Sequence, residues 1–119
     1  MLTQINRIIL VLLISHTLAG CGEDLKHWPT TRFDQAEWTQ SDEKERFVFV
    51  RDLIKSKKLD GFTKQQVLDL LGKPSCDNIH GEYITYIVKA DSGIVSMLDI
   101  RFYNNREHKI VGKILVRSD

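Results

Sequence analysis

Apolar and polar positions change rhythm several times along the 119 residues. Ile8 to Ile14 is an unbroken aliphatic run, preceded by one charge at Arg7 and followed by smaller residues from Ser15 to Gly20. Residues 22–41 show neither a helical nor a strand period. From Phe47 the spacing turns helical: Phe47, Val50 and Ile54 recur on one side with Phe49 and Leu53 beside them, and Lys44, Glu45, Arg51, Lys55 and Lys57 take the other. Ser41 is a candidate N-cap, and Asp42 and Glu43 place negative charge where the helix dipole favours it, so the pattern predicts a helix over 42–57. A shorter helix is predicted over 63–71. Thr63 and Gln66 form a capping box, Val67, Leu70 and Leu71 make a stripe, Gly72 suits a left-handed stop, and Pro74 forbids continuation.

Strand alternation takes over in the last third. Glu82 to Lys89 is β-branched and aromatic, and the stretch from Ala90 to Gly93 breaks it. Met97 to Tyr103 alternates, with Leu98, Ile100 and Phe102 on one face and Asp99 and Arg101 on the other. Asn104, Asn105 and Arg106 supply a turn, and Lys109 to Arg117 returns with Ile110, Ile114 and Val116 on the inward parity. The expected fold is α+β: two helices packed on one face of a three-stranded antiparallel sheet, in the order α-α-β-β-β. Phe47, Val50, Ile54, Val67, Leu70, Leu71, Ile84, Tyr86, Leu98, Ile100, Phe102 and Ile114 are the expected core.

The aliphatic run changes where this domain is expected to work. A membrane-spanning helix needs about 20 mostly apolar residues, and this run is shorter and ends in small ones, so a secretion signal ranks first and a membrane span second. Leu18-Ala19-Gly20-Cys21 resembles the lipobox of bacterial lipoproteins, in which cleavage falls before the cysteine, here between Gly20 and Cys21, and the cysteine is acylated. The resemblance implies a signal peptide over 1–20, a lipidated Cys21 with a tether over 21–41, and a domain over 42–119. Gly22 stands where an Asp signals inner-membrane retention in enteric bacteria, which favours the periplasmic face of the outer membrane.

Cleavage would remove Arg7 from the 17 basic residues and leave 16 against 16 acidic ones. That balance offers no basic stripe for nucleic acid, and membrane attachment falls to the lipid alone. An acylated Cys21 leaves Cys76 without a partner; the rival reading, for a chain cleaved elsewhere, is a Cys21–Cys76 disulfide. A tether of about 20 residues would span roughly 65 Å. Yet Trp28, Phe33 and Trp38 are out of place in a flexible linker, so part of the segment should be pinned down: Trp38 is expected to pack on the domain edge, and the alternative is that Trp28 or Phe33 docks a partner or rests at the lipid headgroups.

The stretch Gly61-Phe62-Thr63 to Val67, then Leu71-Gly72-Lys73-Pro74, resembles the signature of SmpA/OmlA (BamE-like) lipoprotein domains. The resemblance extends over 59–117 and implies the same two helices against three strands. It also implies a non-enzymatic accessory of outer-membrane protein assembly, and similar half-domains build the β-lactamase inhibitor protein fold. Ser75, Cys76, Asp77, Asn78 and Ile79 depart from the family's Asp-Pro-Phe segment, and no binding residue is carried over.

Candidate chemistry is sparse. Cys76, Asp77 and His80 place a thiol and an imidazole four residues apart, but no third group orients the histidine, so a polar turn is favoured over a thiol hydrolase. Adding His108 gives no repeated ligand-pair spacing for a metal. Tyr83, Ile87, Met97, Asp99, Arg101 and Tyr103 share the outward parity of the sheet as a candidate partner-binding face of apolar and aromatic positions around charge. The expected partners are the membrane, through the N-terminal lipid, and another envelope protein. No nucleic acid, small-molecule substrate, cofactor or metal is implied. An inhibitor of a secreted or periplasmic enzyme, acting through the same face, is the alternative. Radioactive palmitate should label the wild-type chain and fail to label Cys21→Ala; label entering the variant would remove the proposed anchor.

Overall fold

Asp34 opens the first helix, because its carboxylate accepts the Glu37 N–H at 3.0 Å and satisfies a donor that the first turn leaves unpaired. The computed structural model describes residues 24–78, 82–105 and 108–119. Gly20, Cys21 and His80 therefore lie outside the described residues. The helices are α1 (Gln35–Gln40), α2 (Phe47–Lys55) and α3 (Lys64–Leu71), with a 3-10 turn at Glu43–Glu45.

The helix expected over 42–57 is shorter and begins later. Ser41 closes α1, its N–H and hydroxyl both donating to the Glu37 carbonyl, and the Asp42 carboxylate accepts the Lys44 N–H at 3.0 Å. Short polar side chains bound to nearby backbone favour caps and turns over helix interior. Continuous helix starts only at Phe47 and stops before Lys57, whose φ is 57°.

α3 carries its expected capping box: Thr63 Oγ1 accepts the Gln66 N–H at 3.2 Å, and Gln66 Oε1 accepts the Thr63 N–H at 2.8 Å. Its exit differs from expectation. Gly72 has φ 81° but ψ −165°, an extended rather than left-handed helical conformation open essentially only to glycine. The chain leaves α3 directly toward Pro74 without a left-handed cap.

The sheet has four antiparallel strands where three were expected: β1 (Cys76–Asp77), β2 (Tyr83–Asp91), β3 (Ile94–Asn105) and β4 (His108–Ser118), in spatial order β1-β2-β3-β4. Two residues are too few to show alternation, which hides β1 from a pattern argument. Ser92 and Gly93, with φ 52° and 82°, form the two-residue turn between β2 and β3, a geometry matched to the right-handed twist of the strands. Register shifts interrupt the alternation twice. One lies between Ile87 and Lys89 and brings the Lys89 ammonium over the Trp28 and Phe47 rings. The other leaves Gly112 without a pairing partner, so that Val111 pairs with Phe102 and packs on the core. Ile110, expected inward, pairs instead with the outward Tyr103.

The largest correction concerns residues 24–41. They were expected to form a tether, and instead they supply Trp28, Phe33 and Trp38 to the buried core. Trp38 is fully buried, edge-on to Tyr86 at 6.1 Å and tilted against Phe49 at 6.5 Å. Its indole N–H donates to the Leu71 carbonyl at 2.9 Å, and the Tyr86 hydroxyl donates to the neighbouring Gly72 carbonyl at 2.7 Å. The Arg46 guanidinium lies 4.8 Å above the Trp38 ring and its Nε donates to the Trp38 carbonyl. Nearer the N-terminus, the Phe33 N–H donates to the Asp52 carboxylate at 2.8 Å, and Arg51 donates to the Lys26 carbonyl at 3.1 Å. Trp38 packs on the domain as expected, but in its core and not at its edge, and docking of Trp28 or Phe33 to a partner or to headgroups fails because their rings are buried in this domain's own interior.

Val50, Val67, Leu71, Ile84, Tyr86, Leu98 and Ile100 are buried as expected, with Phe49, Leu53, Leu59, Val88 and Val116 added. Phe47, Ile54, Leu70, Phe102 and Ile114 are only half-buried at the rim. Trp38→Phe keeps an aromatic ring but leaves the Leu71 carbonyl without its donor. A stability loss of about 2 kcal/mol is expected from urea unfolding. An unchanged midpoint would show that the arm is not part of the folding unit.

A candidate interaction face on the sheet

The face of the sheet turned away from the helices is set by strand register. Thr85 pairs with Asp99 and Asp99 with Leu115; Ile87 pairs with Met97 and Met97 with Arg117; Tyr83 pairs with Arg101 and Arg101 with Lys113. Because successive side chains alternate between faces, these rows lie on one surface. Tyr83, Ile87, Met97, Asp99, Arg101 and Tyr103 are therefore brought together, as expected.

Their chemistry differs from expectation at the centre. Asp99 was expected in solvent with Arg101, and its side chain is instead 1% exposed. One carboxylate oxygen accepts the Thr85 hydroxyl at 2.7 Å, and the other accepts the Arg117 Nε–H at 2.6 Å. Arg117 also donates to Asp119 at 3.0 Å. The hydrogen bond to Asp99 is the main cause that raises the Arg117 pKa above its ordinary value. Arg101 sits one row away with its guanidinium 5.4 Å from the centre of the Tyr83 ring. A charge buried on a nominally wet face needs such a set of donors, since an isolated carboxylate could not be desolvated there.

Around this fixed centre the face is partly apolar. Tyr83, Ile87, Met97 and Leu115 are half-buried, Arg101 is exposed, and Tyr103 is 53% exposed. A Cβ on Gly112 would lie 2.7 Å from the Tyr103 ring, so the ring rests on bare backbone of the neighbouring strand. Strand parity identifies Tyr103 but not its support on Gly112, and it gives no sign of the role of Arg117. Identifying the Arg117–Asp99 pair needs the β3–β4 register, which the register shift at Gly112 obscures.

The other candidates are not assembled into a reactive site among the described residues. Cys76 is an exposed free thiol opposite Thr85 at the sheet edge. Asp77, on the other parity, forms an ion pair with Lys64 of α3 at 2.9 Å. No group of three His, Cys, Asp or Glu among the described residues could hold a metal ion, and no helix among them is long and apolar enough to cross a membrane. An open groove of about 420 Å³ lies beside β4, lined by Ile54, Lys57, Asp60, Val111, Lys113 and Ile114.

What the face offers is a preorganised polar centre with aromatic and aliphatic edges, the composition that carries protein–protein contacts. Arg117→Leu would leave the Asp99 carboxylate with the Thr85 hydroxyl as its remaining donor. Allowing for screening at the partly exposed guanidinium, urea unfolding at neutral pH should show a loss of about 1–2 kcal/mol, against less than about 0.5 kcal/mol for Arg101→Leu. Equal losses would mean that the centre is not fixed by this pair. Comparison with protein-family models, curated proteins and solved structures found no significant match to the chain.

Proposed function

We propose that this chain is a lipid-anchored protein of the bacterial cell envelope, held on the periplasmic face of the outer membrane. Its sheet face binds another envelope protein, and it serves as an accessory or scaffold in outer-membrane protein assembly or envelope maintenance. The observation that carries the binding role is the outer sheet surface itself. Tyr103 stands exposed on Gly112, beside a stacked Tyr83–Arg101 pair and a buried Thr85–Asp99–Arg117 centre. Conformational entropy is already spent on that centre before any partner arrives, which favours tight association from a small area.

Two sequence features support the location and the class. Leu18-Ala19-Gly20-Cys21 resembles a lipobox, and residues 59–117 resemble SmpA/OmlA domains. α2 and α3 against β2, β3 and β4 keep the α-α-β-β-β order of those domains, with α1 and β1 added. Asp77, one of the candidate residues of a thiol hydrolase, is engaged by Lys64.

Photocrosslinking from position 103 in intact envelopes should trap a discrete envelope protein, and Tyr103→Ala or Met97→Ala should reduce capture through position 101 at least several-fold, as loss of an interface anchor does. A stoichiometric adduct with a secreted or periplasmic enzyme would instead support the inhibitor reading. Cys76→Ala and His80→Ala should leave every phenotype intact; loss of function in either would revive a thiol hydrolase.

A further inference from the structure

We infer that the domain is seated directly on the bilayer, with the Ser92-Gly93-Ile94 tip of the β2–β3 hairpin dipping into the headgroup region beside the lipid anchor. The inference rests on acylation of Cys21. Three peptide steps separate Cys21 from Asp24, which caps the chain at about 11 Å from the acylated residue. By Asp24 the chain is already bound down: the Asp24 carboxylate accepts the Lys26 N–H, the Trp28 N–H donates to the Leu25 carbonyl, and Arg51 donates to the Lys26 and Trp28 carbonyls. A tether of some twenty residues is therefore replaced by one of three, and the end of the domain that carries the arm must lie at the membrane surface.

The hairpin tip is at that same end. Trp28 lies under the Lys89 ammonium at 5.6 Å, Lys89 pairs with Ser96, and two residues further along the same strands Asp91 pairs with Ile94. Ile94 is 56% exposed although it is aliphatic and stands on a tight turn where a polar residue would serve. A single exposed isoleucine is ordinary on a protein surface. Its position next to a short lipid leash gives it an apolar phase to enter. The Lys89 ammonium is held over the Trp28 and Phe47 rings and Asp91 immediately precedes the tip, so the seat depends on the apolar side chain and not on positive charge, and uncharged lipid suffices.

The consequence reaches the candidate interaction face. Tyr103 is nine residues from Ile94 along β3, about 30 Å at a strand's rise. Seating the hairpin tip on the bilayer presents Tyr103 and Arg101 at the far end, where a partner in the aqueous space can reach them.

The test uses the full lipidated chain in phosphatidylcholine vesicles, with the polarity-sensitive dye NBD attached at Ile94→Cys or Tyr103→Cys in a Cys76→Ser background. The dye at position 94 should shift to the blue on reconstitution and be quenched by doxyl-labelled lipid, while the dye at 103 does neither. A chain that floats with the vesicles but reports the same aqueous environment at both positions would overturn the seat alone. Failure to float, with an unmodified Cys21 by mass, would overturn the anchor and the seat together.

Discussion

The carbonyls of Leu71, which ends α3, and of Gly72, which follows it, are where the structure is tied together. A helix ends with carbonyls that have no intrahelical donor, and a buried carbonyl left unpaired is costly. Gly72 turns the chain away in an extended conformation, so two aromatic side chains satisfy Leu71 and Gly72 in place of a backbone cap. The indole comes from α1, far upstream in sequence, and the phenol from the middle of β2. One helix terminus thereby fixes the N-terminal arm, the helix layer and the sheet to one another. Burial pushes the Tyr86 phenol well above its ordinary pKa, which keeps the donor protonated through the physiological range.

The two faces of the sheet follow from that arrangement in different ways. On the inner face Trp38, Phe49 and Tyr86 fill the space between layers, with Phe33 completing the cluster at 5.8 Å from Trp38. On the outer face no second layer is formed among the described residues, and a carboxylate is buried by its own neighbours in the sheet. Among the described residues no buried side-chain nitrogen or oxygen lacks a hydrogen-bond partner. The centre of the outer surface is therefore ordered by the domain's own side chains, with Tyr103 standing exposed at its rim. Phe62 covers part of the free edge of β4, its carbonyl accepting the Val111 N–H at 2.9 Å, which limits unwanted strand pairing there.

Much of this was legible in residue order. The capping box at Thr63 and Gln66, the alternation of Leu98 and Ile100, and the Ser92-Gly93 turn are local signals, and local geometry obeys them. The outward row of Tyr83, Met97, Arg101 and Tyr103 follows from strand parity alone. What could not be read locally depends on contacts distant in sequence. Trp38 has no periodic neighbours, and its burial is dictated by Leu71 and Tyr86. Asp99 has the sequence context of a solvated charge, and only the β3–β4 register brings Arg117 to it. The shift at Gly112 moves Val111 inward and Ile110 outward, which a strict period of two cannot anticipate. The arm is hard to read from sequence because a segment without periodicity resembles a linker, although three large aromatics in it already require somewhere to be buried.

The arm and the α3 terminus form one cooperative unit through the Trp38 indole. Hydrogen exchange of that indole N–H, followed by NMR against urea concentration, tests it most directly. If the lock is integral, the indole exchanges only through global unfolding, with the same rate and denaturant dependence as the amides of Leu98 and Ile100. Fast, urea-independent exchange of the indole while those β3 amides stay protected would contradict it, and would show the arm opening on its own.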